Sequence, residues 1–407
     1  MQIKLADFIK DTRTGEEIES ILRTCVHCGF CNATCPTYEL TGDELDGPRG
    51  RIYQIKQFVE TGTVTSTVQQ HLDRCLTCLS CTTTCPSGVE YNRLIDTGRE
   101  LVEQRIERPL SQILLRGALR RLLPHRARFG AALRLGQAVR PLLPRALKEK
   151  IPARRQALNI QPSQHERRML ILQGCVQPAL TPRTQDAAVA VFDKLGIELL
   201  SAPGEGCCGA VSQHMMEPLE AQGYMRRNID AWWPFVEDGI EAIVVAASGC
   251  GVMVKDYGHH LRNDTVYADK ARIISGLCVD PVEVLQGEDC SVLASGDGRK
   301  VAFQSPCTLQ HGQKLNGSVE AILRAAGFEL TPVSNPHLCC GSAGTYSVLQ
   351  AEISGQLRDN KLKSLQAGEP DVIASANVGC QSHLAGAASV PVVHWLELLA
   401  GFDTSGE

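Results

Sequence analysis

Two short runs constrain this chain more than anything else in it. "CVHCGFCNATCP" gives Cys25-x2-Cys28-x2-Cys31-x3-Cys35-Pro36, and "CLTCLSCTTTCP" gives Cys75-x2-Cys78-x2-Cys81-x3-Cys85-Pro86. Two-residue gaps let three thiolates wrap around three irons of one cube, while the fourth cysteine, three residues on and followed by proline, turns away. A zinc site favours two C-x2-C pairs a dozen or more residues apart, which these runs are not. A disulfide framework needs an oxidising compartment.

The spacing resembles that of bacterial two-cluster ferredoxins, in which the fourth cysteine ligates the other cluster. On that pattern Cys25, Cys28, Cys31 and Cys85 hold one [4Fe–4S] cluster, and Cys75, Cys78, Cys81 and Cys35 hold the second. The crossing ties both segments into one helical unit. Between the runs lie 39 residues, including "DELDGPRGRIYQIKQFVETG", which reads as a turn and then a helix. Arg49 and Arg51 there either offset cluster charge or form surface salt bridges. His27, between two ligands, is expected to face solvent or to tune the cluster's potential, and not to be a ligand itself.

The remaining numbers narrow the class. The chain has 407 residues, enough for two to four domains. A formal net charge of −4 gives no general attraction to nucleic acid. The opening "MQIKLADFIKDTRTGEE" has no apolar signal region, and no run of 18 apolar residues occurs. Eighteen cysteines without an export signal point to a reducing, cytoplasmic setting and to metal.

Four blocks follow: a two-cluster ferredoxin-like domain over 1–103, a basic helical linker over 104–168, and two Cys-Cys-Gly domains over 169–285 and 299–407. The linker holds sixteen Lys or Arg between Arg105 and Arg168 against three Glu. Leu114, Ala118 and Leu122 share a helical face, Arg116 and Arg120 lie off it, and prolines cut the segment into short helices. Such a segment either lies on an anionic membrane surface or packs on its own domains with its arginines outward.

The last two blocks are a duplication. Cys175, Cys207, Cys208 and Cys250 recur as Cys307, Cys339, Cys340 and Cys380 at offsets of 130 to 132 residues. "RRMLILQGC" and "RKVAFQSPC", "GIELL" and "GFELT", and "EAIVVAASGC" and "DVIASANVGC" read as paired strands alternating with helical stretches. This implies two α/β domains with parallel strands and cysteines beyond the strand ends, where open sheets gather ligands. Gly204-x-Gly206-x-x-Gly209 matches a dinucleotide fingerprint, but the second copy keeps only Cys339-Cys340-Gly341, and no acidic residue follows at the required place. The shared feature is therefore the cysteine pair. Each set is a candidate metal or redox site. Adjacent thiols suit neighbouring irons or a thiol–disulfide pair better than one metal. Cys278 and Cys290 fall outside the repeat and read as ordinary thiols.

The combination resembles a family of respiratory electron-transfer subunits that includes heterodisulfide reductase subunits, the iron–sulfur subunit of anaerobic glycerol-3-phosphate dehydrogenase and lactate-utilisation proteins. "CVHCGFCNATCPTYELTGDELDGPRGRIYQIKQ", "HLDRCLTCLSCTTTCPSGVEYN", "NIDAWWP", "CTLQHGQKLNG" and "HLCCGSAGTY" are similar to the iron–sulfur subunits of glycolate oxidase (glycolate dehydrogenase). The resemblance implies an electron-transfer subunit with no glycolate site of its own. FAD-binding partner subunits oxidise glycolate to glyoxylate, and electrons leave toward a quinone or other membrane acceptor at the inner face of the cytoplasmic membrane. One departure stands out. Relatives end each motif in C-x-x-C, whereas this chain has Met253 and His383 at those final positions. The competing readings are a disulfide or thiol reductase centred on the vicinal cysteines, and a zinc-dependent binding module.

Overall fold

Apolar residues at helical spacing build the N-terminal region. Ile18, Ile21 and Leu22 share one face of the helix Arg13–Thr24, whose N-cap Thr12 accepts a hydrogen bond from Gly15 N. Pro48–Thr61 begins with proline at its first turn and ends on left-handed Gly62, and it buries Ile52, Ile55, Phe58 and Val59. Ser66–Asp73 and Tyr91–Glu103 add Leu72, Leu94 and Ile95 to the same core. Gly98 lets Tyr91–Glu103 close on Ile55, because a side chain there would collide with it. Each fully buried aliphatic or Phe side chain contributes about 1.5–3 kcal/mol.

This computed structural model describes residues 1–142, 144, 151–293, 296 and 298–403. Part of the basic linker (143 and 145–150) and the last four residues of the second Cys-Cys-Gly segment lie outside the described residues. The described chain forms two compact units, Met1–Arg116 with His337–Leu357, and Gly117–Pro336 with Arg358–Glu407.

The second unit is α/β. Strands β1 (Arg167–Ile171), β2 (Ile197–Leu200), β3 (Ile243–Val244) and β4 (Cys278–Val279) form a parallel sheet in the order β2-β1-β3-β4. Strands β5 (Lys300–Gln304), β6 (Glu329–Leu330), β7 (Val372–Ser375) and β8 (Val392–His394) repeat it as β6-β5-β7-β8. The mixed architecture expected from the repeat is thus present, with one addition. Each half has a fourth strand that is too short to show as a periodic run, and Cys278 begins β4. The halves also share one apolar core, in which Ile171, Phe192 and Val244 join Val301, Phe303 and Trp395. Across this join Ser248 Oγ lies 2.8 Å from Thr308 Oγ1, and Asn377 Nδ2 donates to Ser248 Oγ.

The linker helices Leu110–Leu122 and Arg126–Val139 form as the prolines suggest, and the first departs from the alternative in which the segment packs on its own domains with its arginines outward. Its leucines are out: Leu110 is 70% and Leu114 65% exposed. Its arginines are in: Arg116 pairs with Asp73, and Arg120 with Glu217 and Glu220. Carboxylates on the neighbouring elements select the cationic face for packing, so hydrophobicity alone misreads it.

Candidate iron–sulfur centres

The two cysteine runs adopt the same unusual backbone. His27 and Thr77, each just before the second cysteine, have φ of 59° and 53°, and Gly29 and Leu79, each just after it, have 87° and 63°. Left-handed residues at matched places curl each loop so that its first three thiols point one way. A non-glycine such as Leu79 is strained there. Cys35 and Cys85 are both extended, with ψ of 115°, as a residue before proline must be. Thr34 Oγ1 and Thr84 Oγ1 meet at 3.2 Å and join the runs head to head.

Two cavities result. The first is lined by Cys25, Cys28, Cys31 and Cys85, with Arg49 and Tyr91. The second is lined by Cys35, Cys75 and Cys78, with Thr37 and Arg51. Cys81 and Tyr91 border both. Each fourth cysteine therefore stands beside the other run's triplet. Burial pushes the Cys31 thiol up to about 11, helped by repulsion from Cys25, Cys28 and Cys85. Cys81 is raised for the same reasons, burial first and then repulsion from Cys75, Cys35 and Cys31. Thiols crowded this way stay protonated until a cation replaces their protons, which is the donor set an iron–sulfur cluster needs. Backbone N–H groups of Thr77 and Val89 point at Cys75 Sγ (3.4 Å) and Cys85 Sγ (3.5 Å). Tyr91 Oη donates to Cys75 Sγ at 3.8 Å.

Both arginines singled out in the sequence lie at these cavities, in different roles. Arg49 forms a two-pronged pair with Glu44 (2.6 and 3.1 Å). Arg51 is 1% exposed and donates to His71 O and Thr37 Oγ1. Asp46, fully buried, receives His71 Nδ1 at 2.8 Å and Arg74 at 2.9 Å. His27 is exposed and stacks loosely on Tyr53. Asp46, Tyr91 and Arg99 carried no signal in the sequence, because their importance comes from burial next to the cysteines.

In the α/β unit Cys175, Cys207, Cys208 and Cys250 converge as a chain of contacts: Cys175 with Cys207, Cys207 with Cys208, Cys208 with Cys250. Cys175 and Cys208 lower the Cys207 thiol, helped by Gly209 N–H and Arg227, while Cys175 and Cys208 are themselves pushed up. Asn228 accepts from Gly206 N and donates to Cys207 O, so the glycine-rich loop turns its backbone to a helix side chain. Tyr257 Oη donates to Cys208 O. Arg126 of the linker donates to Gly174 O, next to Cys175.

The second copy keeps the local geometry. Gly341 N contacts Cys339 Sγ at 3.4 Å, as Gly209 N contacts Cys207 Sγ at 3.4 Å. Cys339 and Cys340 belong to the first compact unit, and Cys307 and Cys380 to the second. Met253 is buried in the apolar core, 5% exposed, as a packing residue. His383 is half-buried on the helix Val378–Ala385. Cys278 packs in the core and Cys290 donates to Leu285 O.

Comparison with known proteins agrees with this geometry. Residues 21–89 match the 4Fe-4S dicluster domain family, and residues 169–255 and 301–385 match the cysteine-rich domain family. The chain is therefore an iron–sulfur protein with one dicluster domain and a duplicated cysteine-rich domain. The glycolate oxidase iron–sulfur subunit of Escherichia coli (strain K12) is 52% identical over 400 residues, covering 98% of both chains. A probable glycolate oxidase iron–sulfur subunit of Bacillus subtilis (strain 168) is 28% identical over 89% of this chain and 88% of that one. A lactate utilization protein A of Bacillus licheniformis is 26% identical over 55% of this chain and 95% of its own. The chain belongs to the family of glycolate oxidase iron–sulfur subunits, and its role is electron transfer within an oxidoreductase.

Proposed function

We propose that the chain carries electrons from FAD on partner subunits, where glycolate loses two electrons and two protons to become glyoxylate, toward a quinone or other membrane acceptor. Cys25, Cys28, Cys31 and Cys85 would hold one [4Fe–4S] cluster, and Cys75, Cys78, Cys81 and Cys35 the other. Each cluster, when bound, supplies a reversible electron carrier. The protein's own part is to position the thiolates, exclude water with Tyr91, Leu76 and Ile52, and aim backbone N–H groups at sulfur. The observation that carries this reading is the exchanged lining of the two cavities, in a chain 52% identical to a glycolate oxidase iron–sulfur subunit. The substrate is oxidised elsewhere on this view.

Exposed leucines beside arginines on Leu110–Leu122 support peripheral docking on the cytoplasmic face of a membrane. No described helix is long and apolar enough to cross one. The convergent thiols of Cys175, Cys207, Cys208 and Cys250 favour a second reading for that set alone, a further metal or a thiol–disulfide centre. The test is anaerobic coexpression with the flavoprotein partners. We expect about eight irons per chain for two cubes. Glycolate-dependent reduction of a quinone analogue should need both this chain and its partners. Equal quinone reduction without this chain would overturn the proposal, and so would a chain that binds no iron.

A further inference from the structure

The two cysteine sets stand in unequal electrostatic surroundings. At the first, among the described residues, Arg49 in the wall is matched by Glu44, and the N-terminal ammonium of Met1 donates to Cys25 O at 2.9 Å. At the second, Arg51 lines the cavity, and its nearest carboxylate, Asp46, is 3.7 Å away and already engaged by Arg74 and His71. Arg99 is also buried, 7% exposed. It donates to Leu72 O at the end of the helix Ser66–Asp73, and to Cys75 O and Thr77 Oγ1 on the loop that carries the second set. Among the described residues no carboxylate pairs with it. Nearby Asp73 and Glu103 are taken by Arg108 and Arg116. Around this site Asp46, Asp73 and Glu103 thus face Arg51, Arg74, Arg99, Arg108 and Arg116.

A guanidinium cannot shed its proton, and a buried one without an anion is strongly disfavoured. The missing negative charge must come from what the second cavity holds. Four thiolates around iron supply it, and one added electron makes that site more negative still. A cation close by in a low dielectric favours the reduced form. We infer that Arg51 and Arg99 are the counter-charges of the second cysteine set and hold its cluster at a higher reduction potential than the first, so that an electron entering the chain settles at the second set. This rests on the reading that both sets bind [4Fe–4S] clusters. The step is a one-electron exchange: the first set is oxidised by one electron, the second is reduced by it, and no bond forms or breaks.

The test is a redox titration of the full chain, prepared anaerobically and followed by EPR. Cys78→Ser identifies the second set's signal as the one lost, and Cys28→Ser identifies the first's. In the wild type the first electron should appear in the signal that Cys78→Ser removes. Arg99→Gln should lower that signal's midpoint enough to change the electron's partition at least tenfold, about 59 mV for one electron, with the other midpoint unmoved. Arg99→Lys should restore most of the difference. Overturning results are a first electron on the other signal, or an iron-replete Arg99→Gln whose midpoints both stay or move together. If Arg99→Gln does not fold, the wild-type order of reduction still decides the matter. A wild-type chain without iron would instead defeat the underlying reading of the cysteine runs.

Discussion

The helical unit and the α/β unit are completed by different things. In the α/β unit the two sheets close on apolar cores of Val, Ile, Leu and Phe, which Cys208 and the strand residue Cys278 join as packing groups. In the helical unit the core includes Cys25, Cys75 and Cys81, and two thiol-lined cavities interrupt it. Buried arginines border the second cavity. Left alone, crowded thiols and unmatched cations would weaken that unit, so its stability depends on what the thiols bind.

The largest effect should come from breaking that dependence. Cys81→Ser removes the thiol that borders both cavities. We expect loss of most iron and visible absorbance, together with loss of hydrogen-exchange protection across the helices between residues 13 and 103. Protection in β1 and β5 should stay within about 0.5 kcal/mol of wild type. A single cooperative transition lost as a whole would contradict the contrast between the units.

A second comparison uses the duplicated glycines. Gly209 and Gly341 have φ of 96° and 86°, and an added Cβ would stand 3.0 Å from Ala221 O in the first and 2.5 Å from Ser354 O in the second. Both alanine variants should destabilise by roughly 2–4 kcal/mol through left-handed strain and collision. Gly341→Ala should cost more and act on the helical unit's melting, while Gly209→Ala acts on the α/β unit's. Urea melts with a probe in each unit would separate them.

Much of this was readable in the residues, for reasons that differ by region. The cysteine runs declare themselves because cluster ligands need fixed spacing, and the Cys-Cys-Gly repeat because its strands and thiols recur in step. The fourth strand of each half, β4 with two residues and β8 with three, is too brief to show periodicity. The orientation of Leu110–Leu122 depends on carboxylates distant in sequence, at Asp73 and Glu217. The imbalance at the second cavity is tertiary as well: the sequence does not distinguish Arg51 from Arg49, and Arg99 and Asp46 look like ordinary surface residues until burial removes their water.

The α/β unit can be probed further by pH, because two of its buried groups oppose one another. Burial lifts Asp280 from 3.8 to about 7, with Glu283 adding to the rise and Lys255 and Gln313 countering it. Burial lowers His394 from 6.5 to about 4, while its Nε2–H donates to Ala246 O at 3.0 Å. For Asp280 the folded state binds the proton more tightly, so its contribution is full below about pH 4 and is lost as pH rises through 7. For His394 the unfolded state binds more tightly, so its contribution is full above 6.5 and is lost as pH falls through 4. At about 1.4 kcal/mol per tenfold in proton affinity, Asp280 is worth about 4 kcal/mol and His394 about 3 kcal/mol. Between pH 4 and 6.5 the wild-type unit should therefore be nearly flat in stability. Asp280→Asn, which keeps the N-cap to Val282 N, should become less stable toward acid. His394→Gln should become more stable toward acid. Parallel slopes in both variants would refute the assignment.

The smallest effect on stability should come from the helix Leu110–Leu122. Its leucines touch little: Leu110 and Leu114 are mostly exposed. Serine at both positions should leave the melting of each unit within about 0.5 kcal/mol of wild type. Arg116→Ala should cost more, about 1 kcal/mol, because Arg116 is largely buried and pairs with Asp73. That ranking reverses the usual expectation that leucine holds a helix down and arginine only decorates it. If the leucines serve an anionic surface, the double serine variant should cosediment less with phosphatidylserine vesicles while its melting is unchanged. Equal vesicle binding would leave the exposed leucines without that role, and a large loss of stability would mean that they are packed after all.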